Sequence, residues 1–106
     1  MAKQFVTFCN VDEIAPGQRE VFDLDRLSVL VLNVEGQFFA VENMCSHEEY
    51  ELAEGEVMGC CTLECPKHGA TFDMRSGEAL TAPAYQPIQV FRTRVVDGEL
   101  QVELDI

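Results

Sequence analysis

Two short motifs, Cys45-Ser46-His47 and Cys65-Pro66-Lys67-His68, stand seventeen residues apart, and both histidines of the chain fall inside them. Thiolate sulfur and imidazole nitrogen are ligands for zinc and for iron in sulfur-rich sites, so the pattern points to metal binding. Zinc is usually gripped by ligand pairs separated by about two to four residues. Only Ser46 separates Cys45 from His47, and the pair would strain to reach one ion. The spacing suits two loops that hold opposite ends of a longer object, with the cysteines on one iron and the histidines on another.

Here the sequence resembles the Rieske family, whose pattern is Cys-x-His, a spacer, then Cys-x-x-His-Gly. The match runs through Gly69 and continues into Phe72-Asp73, the Ser76-Gly77 turn and the loop around Pro83, so it is close over residues 40–90 and looser in the flanks. The resemblance implies one two-iron, two-sulfur cluster. Cys45 and Cys65 would bind the inner iron; His47 and His68 would bind the outer iron and turn their free edges to the surface as the electron port. Replacing two thiolates by neutral imidazoles removes negative charge from the cluster, and the potentials of such centres lie at about −150 to +300 mV against about −400 mV for plant-type ferredoxins.

The family's high-potential members carry a disulfide between the cluster loops, at positions held here by Tyr50 and Lys67. They also place Ser and Tyr hydroxyls against the sulfurs, where this chain has Ala70 and Phe72. Hydrogen bonds to the sulfurs favour the reduced, more negative cluster, so their loss places the expected potential nearer the lower limit. Low potential and small size resemble the Rieske ferredoxins of aromatic-ring-hydroxylating dioxygenase systems. These carry electrons from a flavin-dependent reductase to a terminal oxygenase and are not themselves enzymes. The same residues leave other readings open: a ferredoxin serving a different oxygenase, the small subunit of a nitrite reductase, or a structural zinc module.

The elements that must position these ligands read as strands. Residues 4–9 and 19–24 are strand-like around an Ala15-Pro16-Gly17 breaker; residues 28–34 and 37–41 form a hairpin across Glu35-Gly36. A second hairpin pairs 88–96 with 99–104 across Asp97-Gly98, and no segment has a convincing helical period. The expectation is an all-β, Rieske-like antiparallel sandwich in a single domain. Residues 1–43 and 88–106 would be its scaffold, and residues 44–87, punctuated by glycine and proline, an inserted cluster-binding subdomain. If residues 57–64 are one regular strand, Cys60 and Cys61 alternate faces as unpaired core or incidental thiols, and Cys9 on the first strand reads the same way.

At 106 residues the chain is near the lower end of what buries a useful core, so a metal that cross-links its loops would add stability. Nineteen acidic against seven basic residues give a net charge of −12, which disfavours nucleic acid and anionic lipid. Glu48, Glu49, Glu51, Glu54 and Glu56 crowd the segment after His47, either as a solvated loop or as a collar that steers a basic partner. No run approaches the ~20 apolar residues of a membrane span, and the N-terminus lacks the features of a leader. The expectations are a cytoplasmic monomer, no membrane association and no nucleic-acid partner.

Overall fold

The run Val29-Leu30-Val31-Leu32 is apolar at every position, and a strand of that kind must be covered on both faces. In the computed structural model, which describes residues 2–46 and 50–105, it is the middle of a three-layer arrangement. Ten strands are defined: β1 (Lys3–Asn10), β2 (Arg19–Leu24), β3 (Leu27–Val34), β4 (Gln37–Glu42), β5 (Val57–Met58), β6 (Thr62–Glu64), β7 (Thr71–Asp73), β8 (Val90–Phe91), β9 (Thr93–Val96) and β10 (Glu99–Asp105). The central sheet has the order β2-β3-β4-β8; one flanking sheet is β1-β10-β9 and the other β5-β6-β7. Among the described residues the strands pair antiparallel throughout.

Alternation along β3 and β4 divides the interior in two. Val29, Val31 and Ala40 face Leu100, Val102 and Leu104 of β10, with Ile14 closing that core. Leu30, Leu32, Phe39 and Val41 face the other way, against Leu52, Leu63, Phe72 and Met74. Cys45 and Cys65 belong to this second core, so the hydrophobic contact that holds the small sheet to the large one also surrounds the two sulfurs.

Both predicted hairpins are present, with β3, β4 and β10 each running one residue beyond the expected limits. Glu35 and Gly36 take φ of 53° and 93°, and Asp97 and Gly98 take 52° and 78°, the left-handed values that a two-residue turn between twisted strands requires. The predicted strand over 88–96 is not continuous. Val90 and Phe91 pair with β4, whereas Thr93–Val96 pair with β10, so the chain crosses between sheets at Arg92. The alternation of side chains persists through the crossing, which is why the sequence shows no break.

Residues 57–64 are likewise not one strand. Met58 pairs with Thr62 across a tight turn at Gly59, Cys60 and Cys61, and the two cysteines are joined by a disulfide. This corrects the reading of both as unpaired thiols on alternate faces: the turn brings adjacent side chains to one side. Because the bond joins neighbours in sequence, it closes no loop and adds little through chain entropy. Cys9 is an unpaired, half-buried thiol as expected, and burial, reinforced by Glu13, Glu20 and Asp12, pushes it above the ordinary thiol range. Among the described residues the only helical turn is the 3-10 segment Val11–Glu13, and no helix is long and apolar enough to cross a membrane.

The small sheet is fastened to the return strand at Gly77. Its N–H donates to the Asp73 carbonyl at 2.7 Å and its carbonyl accepts from the Ile88 N–H at 2.9 Å, with φ at 84°. A Cβ there would overlap the Ile88 carbonyl oxygen, whereas one on Gly36 would meet nothing within 4 Å. Gly77→Ala should therefore cost about 2–4 kcal/mol in urea denaturation against about 1–2 for Gly36→Ala. Equal costs would contradict this placement.

Candidate metal centre

Three loops converge at the end of the molecule beyond the small sheet. The first leaves β4 and is closed by the Cys45 N–H donating to the Tyr50 carbonyl at 2.8 Å. The second is the tight connection between β6 and β7, in which the Cys65 N–H donates to the Ala70 carbonyl at 2.7 Å and the Gly69 N–H to the Cys65 carbonyl at 3.0 Å. Gly69 sits at φ 74°, a left-handed value that explains a glycine directly after His68. The third precedes Ile88 and is pinned twice: the Ser46 hydroxyl donates to the Gln86 carbonyl, and the Thr71 and Thr81 hydroxyls share a 2.9 Å hydrogen bond.

One ligand atom each from Cys45, Cys65 and His68 lies within 4.8 Å of the other two. The Cys65 sulfur is 3.4 Å from His68 Nδ1. Both cysteines are buried, at 2% and 1% exposure, whereas His68 is half-buried at the surface side. His47, Glu48 and Glu49 lie outside the described residues, so the fourth predicted ligand and part of the acidic collar have no described position. Glu51, Glu54 and Glu56, further along the same loop, are exposed.

The donor set fits an iron–sulfur cluster. Two close thiols and an imidazole are soft donors that a thiophilic iron centre would take as ligands, and the irons' positive charge offsets that of the thiolates. Ala70 and Phe72 are fully buried next to this set and bring no hydroxyl, while the Thr71 hydroxyl between them is taken up by Thr81. The two sulfurs lie in the apolar second core, and His68 sits half-buried at its edge.

Several residues that hold the loops were not singled out in the sequence. Buried Asn43 receives the Leu52 N–H on Oδ1 at 2.9 Å, and its Nδ2 donates to the Glu51 carboxylate at 3.1 Å and to the Ser28 hydroxyl at 3.3 Å. It thus ties the first loop to β3. Arg19 on β2 donates to the Ala53 and Gly55 carbonyls, holding the same loop further along. The signal for Asn43 was its place at a strand end, two residues before a ligand, where asparagine commonly bonds local backbone. Arg19 carried no such signal, because its partners are more than thirty residues away.

The Rieske [2Fe-2S] domain family model matches residues 4–92. The chain belongs to the Rieske [2Fe-2S] family. Its cofactor is one 2Fe-2S cluster, which accepts and releases a single electron, and the chain is an electron carrier rather than a catalyst. It is 32% identical over 99 residues to the biphenyl dioxygenase ferredoxin subunit of Pseudomonas sp. (strain KKS102), covering 93% of this chain and 91% of that one. Among solved structures, the ferredoxin of carbazole 1,9a-dioxygenase from Nocardioides aromaticivorans IC177 superposes with a TM-score of 0.84 at 30% identity, over 92% of this chain and 95% of its own. A chain from a complex of reduced oxygenase and oxidized ferredoxin in carbazole 1,9a-dioxygenase gives 0.83 at 29%, over 92% and 91%. A nitrite reductase small subunit from Mycobacterium tuberculosis also gives 0.83, but at 22% identity that likeness shows the fold alone.

Asn43→Ala would leave the buried Leu52 N–H without its acceptor. It should lower stability by about 1–3 kcal/mol in urea denaturation. A cost below about 0.5 kcal/mol would show that the bridge to the first loop carries little.

Proposed function

We propose that this protein shuttles single electrons from a flavin-dependent reductase to the terminal oxygenase of a ring-hydroxylating dioxygenase system, in the cytoplasm and as a monomer. The observation that carries the reading is the convergence of Cys45, Cys65 and His68 within 4.8 Å, thiols inside and imidazole outside. In this reading Cys45 and Cys65 hold the inner iron, and His47 and His68 hold the outer iron. Residues 44–87 form the cluster-binding subdomain, and residues 1–43 and 88–106 its scaffold. The ferredoxin names of the relatives and the oxygenase complex among the structural neighbours support the choice of partners.

The residues of this chain divide the work. Cys45 and Cys65 fix the buried end and exclude water, since both sit in the same apolar core as Leu63 and Phe72. His68 offers a short through-bond route from the centre to a docked partner. The exposed carboxylates Glu51, Glu54 and Glu56 add to a net charge of −12 and favour partners with basic docking faces. With Ala70 and Phe72 donating no side-chain hydrogen bond, nothing at those two positions favours the reduced state.

A spectroelectrochemical titration tests both the carrier role and this environment. The expected result is a single one-electron wave with a midpoint nearer about −150 than about +300 mV. A clearly positive midpoint would contradict the low-potential assignment and with it the proposed place downstream of a flavin reductase.

A further inference from the structure

Tyr50 touches both cysteine-bearing loops. Its carbonyl accepts the Cys45 N–H at 2.8 Å in the first loop. Its ring meets the His68 ring of the second loop edge-on, with centroids 6.1 Å apart and planes at 71°. Over the same ring lies the Lys67 ammonium, 5.3 Å from the centroid. Both distances fall in the ranges where edge-to-face ring pairs and cation–π contacts are attractive. Tyr50 and Lys67 are exposed, so nothing else in the core obliges them to adopt this arrangement.

The charge of Lys67 has no local substitute. Between Arg26 and Arg75 the sequence holds no other Lys or Arg, while residues 42–64 carry seven glutamates. The ring of Tyr50 therefore holds the single cation of this region in the turn that bears Cys65 and His68. We propose that Tyr50 and Lys67 form a cation–π clasp across the two cluster loops, which positions His68 and keeps one positive charge beside the outer end of the cluster. Tyr50 and Lys67 act as positioning residues: they restrain the loops against opening and favour the reduced, more negative cluster. The inference rests on the cluster reading above.

The test compares the holoprotein with Tyr50→Ala, Tyr50→Phe, Lys67→Ala, Lys67→Arg and the Tyr50→Ala/Lys67→Ala double variant. Cluster loss to an excess of a ferrous-iron chelator is followed by visible absorbance, and each midpoint potential is measured. Either alanine variant should lose its cluster about two- to fivefold faster than the parent, the range expected for one exposed cation–π contact. The double variant should be little faster than the singles, because the two residues share one interaction. Tyr50→Phe and Lys67→Arg, which keep ring and charge, should behave as the parent, and Lys67→Ala should have a lower midpoint. Additive rates, parental rates in both alanine variants, or an unmoved midpoint in Lys67→Ala would overturn the clasp. A parent chain that takes up no iron and sulfide would instead overturn the cluster reading together with it, so the two failures are told apart.

Discussion

Two cysteine sulfurs drawn close together inside an apolar core are the constraint on which the rest of this protein depends. Cys45 and Cys65 come from loops on opposite sides of a short hairpin and share their surroundings with Leu63, Ala70 and Phe72. Metal ligation uses the thiolate, which brings negative charge into this apolar core. The positive irons of a cluster offset that charge. In a chain of this size such a cross-link also adds to stability, since it joins two loops from different sheets.

The sheets serve this constraint in a definite order. Strand β3, buried on both faces, fixes the central layer and with it the exit of β4 toward Cys45. Asn43 and Arg19 carry that rigidity outward to the first loop through hydrogen bonds to its backbone. On the other side the three-stranded sheet β5-β6-β7 sets the second loop, and the glycine at 77 binds that sheet back to Ile88. The exposed end, by contrast, is left to weaker contacts: ring edges, a cation over a ring and a serine hydroxyl on a loop carbonyl. Rigid support of the sulfurs suits a centre that must stay intact as it gains and loses an electron.

What could be read in the sequence was what local chemistry dictates. Glu35-Gly36 and Asp97-Gly98 announced their turns because few other residue pairs accept left-handed φ, and the apolar run 28–34 announced a strand of the first hairpin. The convergence of Cys45, Cys65 and His68 was legible because cysteine and histidine are paired in two short motifs. The crossing at Arg92 was hidden, since hydrogen-bond partners can change between sheets without altering the side-chain alternation. The turn at Cys60 and Cys61 was hidden because residues 57–64 look like a strand, and only the pairing of Met58 with Thr62 reveals the fold-back. The role of Arg19 depends on carbonyls from a distant loop, which no local pattern encodes.

The central claim is the mixed ligation of one two-iron cluster by this chain. Electron paramagnetic resonance of the dithionite-reduced protein tests it most directly, because imidazole on one iron changes the spectrum from that of an all-cysteine cluster. The account predicts the mixed histidine and cysteine signal, accompanied by acid-labile sulfide. A silent reduced sample with zinc bound, or a four-cysteine spectrum, would contradict it.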